Sequence, residues 1–167
     1  MRKTIVAAAA VIALVACSKQ NQTRVSAPAP ASATVSGAKA KSVMHERSDG
    51  MKKVGKAMKI LGAQIKSGAP DMTAVKAAAA AMDGLARKSS AWFPAGTGPD
   101  AGKTRAKAEI WLKPQDFAAK VKGFQTAAAN FNAAAQTGNA ATATASLGEL
   151  GKSCKACHDN YRSDEHR

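Results

Sequence analysis

The amino-acid sequence predicts an all-α fold, an antiparallel four-helix bundle. Apolar residues recur every three or four positions over four long segments, which is typical of amphipathic helices. Glycine and proline cluster between the second and third of these segments, and no segment shows a clear alternation of apolar and polar residues. Hydrophobic residues make up 46% of the chain but aromatic residues only 4%. Closely packed helices of this composition would have few bulky side chains to fill the space between them.

The first residues are typical of an export signal. Arg2 and Lys3 precede an apolar run over residues 5–15 that is too short and alanine-rich to be a comfortable membrane span. We therefore predict that residues 1–16 are a signal peptide. The chain is expected in the periplasm.

A candidate lipid anchor follows this signal. The run ends in Leu14-Val15-Ala16-Cys17, which is similar to the lipobox of bacterial lipoproteins. That resemblance implies an acylated Cys17 as the mature N-terminus, held by several acyl chains, and Ser18 after it favours the outer membrane. An ordinary cleaved signal with an incidental cysteine is the alternative.

Residues 17–41 are predicted to be the lipidated cysteine and a disordered tether. They are rich in Ala, Ser, Pro, Gln and Thr and lack a helical apolar period. The helical apolar period begins at Ser42, and we predict one folded domain over residues 42–167.

The first two helices are separated by the breaker Ser67-Gly68-Ala69-Pro70. The apolar stripe of the first helix is Met44, Arg47, Met51, Val54, Met58, Leu61 and Ile65. Asp71 can cap the second helix, which should end by Ser89-Ser90. The stripe of the second helix is Met72, Val75, Ala79, Met82 and Ala86.

The segment from Trp92 to Lys103 has too many glycines and prolines for a regular element and is predicted to be a crossover loop. A short helical piece around Thr104 to Trp111 follows it. Pro114 suits the first turn of a third helix that ends at Gly138. The stripe of this helix is Phe117, Val121, Phe124, Ala128, Phe131 and Ala135.

The fourth helix can be capped by Asn139, and its short connection makes it antiparallel to the third. Its inward stripe is Leu147, Leu150, Cys154, Cys157 and Tyr161. The stripe contains the motif Cys154-Lys155-Ala156-Cys157-His158, the attachment signature of a c-type haem. In this motif the thiols add across the vinyl groups and the imidazole binds iron. Positions three and four apart share a helix face, so Cys154, Cys157 and His158 can all reach one covalent haem c.

Three other interpretations of the cysteine pair are weaker. A zinc site would need further ligands, and Cys17, His45 and His166 are scattered over the chain. A thioredoxin-like redox pair would need a preceding strand. A disulfide between residues three apart on a helix has poor geometry.

The formal net charge is +14. Such a charge suggests an acidic partner protein, an anionic surface or nucleic acid, and a solvated lysine-rich surface is the simpler explanation. We expect redox partner proteins with acidic faces, no nucleic acid, and membrane contact through the lipid anchor only. The tether permits a homodimer without requiring one.

The chain resembles the class II cytochromes c, the cytochrome c′ family, over about residues 42–163. The motifs that carry the resemblance are Arg47-x-x-x-Met51, Gly55-Lys56-Ala57-Met58-Lys59-x-Leu61, Trp92-Phe93-Pro94 with Gly96-Thr97-Gly98, Thr104-Arg105-Ala106, Ile110-Trp111 and the terminal Cys-x-x-Cys-His-x-x-Tyr-Arg.

The resemblance implies roles for particular residues. It gives Cys154 and Cys157 the thioether bonds and makes His158 the axial iron ligand. It places Arg47 near a haem propionate, Thr104 near the haem edge and Arg162 close to the axial histidine.

Met51 is the candidate sixth ligand in the same resemblance. Bound to iron, it would give a low-spin carrier for single-electron transfer, which is our leading hypothesis. Unbound, it would leave the iron open to NO or CO, for gas scavenging or sensing. We do not expect an enzyme. A distal haem pocket lined by Met, Ala and Phe would offer no general acid or base for the activation of peroxide or oxygen. A third alternative belongs to another functional class: a basic interaction module without haem, whose two cysteines form a disulfide.

Overall fold

The computed structural model describes residues 34–164. The predicted signal peptide, Cys17, most of the predicted tether and His166 lie outside the described residues. The helices are α1 (Gly37–Lys66), α2 (Met72–Lys88), α3 (Glu109–Leu112), α4 (Pro114–Gln136) and α5 (Ala140–Tyr161). The predicted all-α four-helix bundle is confirmed, with α3 as a short extra turn. None of the helices between residues 34 and 164 is both long and apolar enough to span a bilayer.

The folded domain begins earlier than the sequence indicated. Helix α1 starts at Gly37, so the predicted tether boundary at residue 41 and the helix start at Ser42 are wrong. The amide of Val35 donates a 2.9 Å hydrogen bond to the carbonyl of Ala95, and Ala40 is only 1% exposed. The first turn of α1 could not be predicted from the sequence, because its buried residue is an alanine, which gives a weak hydrophobic signal beside lysines and serines.

Two predicted helix caps are confirmed. The carboxylate of Asp71 accepts a 2.8 Å hydrogen bond from the amide of Thr73 at the start of α2. The side chain of Asn139 accepts one of 3.1 Å from the amide of Thr142 at the start of α5. Each cap pairs an amide that the helix itself leaves without a partner.

Two apolar cores hold the helices together. The main core is formed by Val54, Ala57, Leu61, Val75, Ala78, Ala79, Met82, Ala86, Trp92, Phe124, Ala128, Phe131, Ala135, Ala143 and Leu150. The small core is formed by Ile110, Phe117, Val121 and Tyr161. Every member of the apolar stripe predicted for the third helix is buried in one of the two. Helix α5 packs along α4 but only sparsely against α1.

The chain direction brings several termini to one end of the bundle. The turn at residues 67–71 reverses α1 into α2, and the turn at residues 137–139 reverses α4 into α5. The start of α1, the end of α2, the start of α4 and the end of α5 therefore lie near the crossover segment, residues 89–113. We call this the crossover end.

Gly50 on α1 is required by the close approach of Trp92. A Cβ atom at Gly50 would come within 2.5 Å of Cη2 of Trp92, a side chain that is 3% exposed. We predict that Gly50→Ala lowers the free energy of unfolding by about 2 kcal/mol, because the indole cannot move without disturbing the main core. Urea unfolding of the holoprotein, followed by circular dichroism, would measure it.

Gly55 on the same helix supplies the control, since a Cβ atom there meets nothing within 4 Å. Gly55→Ala should stabilise the protein by about 0.8 kcal/mol through helix propensity alone. Equal stabilities for the two variants would contradict the steric argument.

Candidate haem site

The last three turns of α5 have an inward side that the polypeptide does not cover. Only Ala143, Leu150 and Tyr161 are buried among the 22 residues of α5, whereas seven of the 23 residues of α4 are buried. No residue between Leu150 and Tyr161 is buried. The haem attachment motif lies in this interval, where a bound group could occupy the apolar side of the helix.

The two cysteine side chains lie at the border between the two cores. The half-buried Cys154 packs against the main core and the half-buried Cys157 against the small core. Burial raises the pKa of both thiols, and for Cys157 the neighbouring Cys154 adds to this effect. Raised thiol pKa values disfavour a reactive redox pair, which needs a thiolate. Within residues 34–164 no three or more His, Cys, Asp or Glu side chains form a group that could hold a metal ion, which disfavours a zinc site.

His158 presents a neutral imidazole. Burial lowers its pKa, and the positive charges of Arg162 and Arg105 add to the decrease. A neutral ring keeps a free electron pair for a metal ion. Nη1 of Arg162 lies 3.3 Å from Nδ1 of His158.

Backbone pairing fixes this end of α5 to the crossover segment. Residues Ala106 and Arg162 form an isolated antiparallel bridge. The amide of Lys107 donates to the carbonyl of Tyr161 at 3.0 Å, and Nε of Arg105 donates to the carbonyl of Ser163 at 3.1 Å. We call residues 105–107 with 161–163 the clasp. Sequence reasoning missed it, because backbone hydrogen bonds leave no pattern of side chains.

Arg47 of α1 is buried inside the crossover segment and is 5% exposed. Its Nη1 donates to Oγ1 of Thr97 at 3.1 Å and to the carbonyl of Trp92 at 3.3 Å. Its Nη2 donates to the carbonyl of Thr97 and to Oγ1 of Thr104, both at 3.0 Å. Burial lowers the pKa of Arg47 to about 10. No carboxylate between residues 34 and 164 forms an ion pair with it.

Met51 lies one turn beyond Arg47 on α1. Its half-buried side chain packs against the main core, as does Cys154. The structure thus joins Arg47 to Thr104 by a hydrogen bond and places Arg162 beside His158. Met51 and Cys154 each pack against the main core.

These features fit a covalent haem c. The two thiols and the adjacent neutral imidazole are the donor set that the group requires. The uncovered side of α5 offers an apolar surface, and the buried Arg47 offers a cation without a carboxylate partner in the described part of the chain. A haem propionate would supply the missing negative charge.

Comparison with known proteins agrees with this chemistry. The family model described as Cytochrome C' matches residues 42–162. The chain belongs to the cytochrome c′ family. Cytochrome c′ of Rhodospirillum rubrum is 40% identical over 111 residues, which cover 64% of this chain and 72% of that protein. Like other members of the family, the chain binds one covalent c-type haem with iron.

Solved cytochrome c′ structures share the fold. That of Thermochromatium tepidum has a TM-score of 0.71 and 30% identity, covering 79% of this chain and all of that one. A ferrous variant of cytochrome c prime from Alcaligenes xylosoxidans with bound NO has a TM-score of 0.70 and 28% identity, covering 77% of this chain and 99% of that one.

The hydroxyl of Tyr161 connects the end of α5 to the start of α4, since it donates a hydrogen bond to the carboxylate of Asp116. Its ring packs edge-on against Phe117, with centroids 5.1 Å apart. The hydrogen bond to Asp116, aided by burial, raises the pKa of Tyr161 from 10.0 to about 12. Because folding raises this pKa, the contact stabilises the fold fully below pH 10 and loses that contribution as the pH rises through about 12.

This contact can be measured directly, because Tyr161 is the only tyrosine in the chain. We predict that tyrosinate absorbance of the holoprotein appears with a midpoint near pH 12, and that Asp116→Asn moves the midpoint down toward about 10. Asp159→Asn is the control, since Asp159 pairs with Lys155 instead. A midpoint unchanged by Asp116→Asn would contradict the assignment.

Proposed function

We propose that this domain is a monohaem c-type cytochrome that carries out single-electron transfer in the periplasm. The observation that supports it best is the packing of Met51 and Cys154 against the same core. A methionine thioether opposite a histidine is the ligand pair of low-spin cytochromes, and it raises the reduction potential. Met51 is the proposed sixth ligand.

In this proposal the haem supplies an iron that changes its oxidation state by one electron. Cys154 and Cys157 hold the group covalently, and His158 binds the iron. Arg47 and Thr104 would hold a propionate, and Arg162 would keep the imidazole in one orientation. The core against which Cys154 and Met51 pack is apolar, and the proposal assigns no acid–base catalysis to it.

The lipid anchor is part of the same proposal. Residues 1–16 would direct export and Cys17 would carry acyl chains, each adding about 0.8 kcal/mol per buried methylene group. The haem domain would then work at the periplasmic side of the outer membrane, at the end of its tether.

The ligation by Met51 is tested by the optical spectrum of the purified holoprotein, oxidised and reduced, with and without CO. We expect a low-spin spectrum that CO does not change. Met51→Leu should become high-spin and bind CO, because it removes the thioether. Met58→Leu is the matched control, since Met58 is also a half-buried methionine of α1 against the main core. A wild-type protein that is already high-spin and binds CO would contradict the ligation.

Gas binding is the second candidate function. It is favoured by the related cytochrome c prime from Alcaligenes xylosoxidans, whose structure contains NO. With Met51 off the iron, an apolar surrounding would admit NO or CO and disfavour anions. The alternative of a non-haem basic interaction module is wrong, because the family binds covalent haem.

The anchor is tested by membrane fractionation of the exporting cell. Cys17→Ala should move the haem protein from the membrane fraction to the soluble periplasmic fraction, because the acylated residue is lost. Ser18→Asp, which retains Cys17, should leave it in the membrane fraction and move it to the inner membrane. Unchanged fractionation of Cys17→Ala would rule out the lipobox interpretation.

A further inference from the structure

Four cations from three elements surround the haem attachment motif at the crossover end. Arg105 and Lys107 belong to the crossover segment and Lys120 to α4, and Arg162 directly follows α5. We call these four residues the basic rim. All four are at least partly exposed. Nη1 of Arg162 lies 3.3 Å from Nδ1 of His158, and Arg105 and Lys107 are hydrogen-bonded to Ser163 and Tyr161 just after the motif. Lys120 precedes Val121, a member of the small core against which Cys157 packs.

The clasp holds three of the rim residues in place. Arg105 and Lys107 lie on one strand of it and Arg162 on the other. Nε of Arg105 is further fixed by its hydrogen bond to the carbonyl of Ser163. The guanidinium of Arg105, held in this way, would lose little conformational entropy when an oppositely charged surface approaches.

Nearby carboxylates leave the rim with an excess of positive charge. Asp116 accepts the hydrogen bond of Tyr161, and Asp159 pairs with Lys155 at 2.6 Å. None of the rim cations forms an ion pair with a carboxylate in the part of the chain that the structure describes. Asp100, Glu109 and Asp164 are exposed at the same end, but so are Lys103 and Lys113, so that positive charges remain in excess there.

A second basic surface lies on the outer side of α1. Lys52, Lys53, Lys56 and Lys59 are exposed there, and residues 50–70 contain no acid. This face is separated from Cys154 by the helix itself, because Met51 and Met58 occupy the inward side. A protein docked on α1 would therefore be farther from the haem attachment site than one docked on the rim.

We propose that the basic rim is the docking surface for an acidic face of a protein redox partner. This inference rests on the proposed electron-transfer function. One electron would pass from the ferrous protein to the oxidised centre of the partner, with no proton transferred and no bond formed or broken. Complementary charge at the point of exit would orient the partner and raise the rate of productive encounter.

Small charged oxidants can probe the rim without knowledge of the partner. The ferrous holoprotein is oxidised by ferricyanide in a stopped-flow experiment over a range of ionic strengths, and each ferricyanide ion takes one electron. We expect the triple variant Arg105→Gln, Lys107→Gln, Lys120→Gln to lower the rate at low salt by about tenfold and to flatten its dependence on salt. With the cation tris(phenanthroline)cobalt(III) as oxidant, the same variant should react faster than the wild type.

The matched control removes the same charge from α1. Lys53→Gln, Lys56→Gln, Lys59→Gln has the same net charge as the rim variant, and we expect a rate within about twofold of the wild type. Polyglutamate added as a model of an acidic protein face should slow ferricyanide oxidation of the wild type and of the α1 variant, but not of the rim variant. If the α1 variant loses as much rate as the rim variant, or if polyglutamate acts equally on both, the proposal is overturned.

Two further measurements separate this proposal from its premises. The single variant Lys120→Gln leaves the clasp intact. It should lower the rate of ferricyanide oxidation by part of the amount expected for the triple variant, even if the triple variant folds poorly. The absorption spectrum and midpoint potential of each variant report independently on the haem. A high-spin, CO-binding spectrum would refute the electron-transfer function, whereas equal salt slopes in the two triple variants with a low-spin spectrum would refute the rim alone.

Discussion

The crossover end of this bundle depends on one buried guanidinium. Arg47 donates four hydrogen bonds to oxygen atoms of the crossover segment, and these replace the water that burial removes. A hydrogen bond from a charged donor contributes roughly 1.5–3 kcal/mol, whereas an unpaired buried charge costs several. Because the segment connects α2 to α4, the same side chain determines where the two helix pairs meet. The backbone hydrogen bonds of the clasp then connect the crossover segment to the end of α5.

The buried cation Arg47 lacks an anionic partner within the described polypeptide, the inward side of α5 is left partly uncovered there, and a haem would supply what each lacks. Arg47 has oxygen partners but no carboxylate among the described residues, and α5 has no buried side chain between Leu150 and Tyr161. A haem offers a carboxylate at its edge and a broad apolar surface on its ring. Because the thioether bonds would keep the haem on the chain even when it unfolds, the haem would stabilise the folded state through the apolar and ionic contacts that only the native arrangement provides. A chain poor in aromatic residues can rely on this cofactor for the bulk its core lacks.

Much of the fold could be predicted because helices impose a period on their apolar residues. The stripe from Phe117 to Ala135 and the caps at Asp71 and Asn139 were all evident in this way. The start of α1 was not, because its buried residue is an alanine, and neither was the clasp, which consists of backbone hydrogen bonds. The cysteine motif indicated the site, while the hydrogen bonds from Arg47 to the crossover segment emerged only from the structure. Ligation by Met51 depends on displacements smaller than any sequence pattern records.

The rim has a second consequence, which follows from its position beside His158, the proposed iron ligand. Removing an electron from a haem increases its positive charge, so fixed cations nearby disfavour oxidation and raise the potential. Arg162, 3.3 Å from the imidazole of His158, is the cation best placed for this effect. An acidic partner seated on the rim would offset these charges and lower the potential at the moment of contact. The same residues would thus favour the reduced state in the free protein and the transfer of the electron once a partner is docked. The attraction of the partner and the transfer of the electron to it would then both arise from the positive charge of the rim.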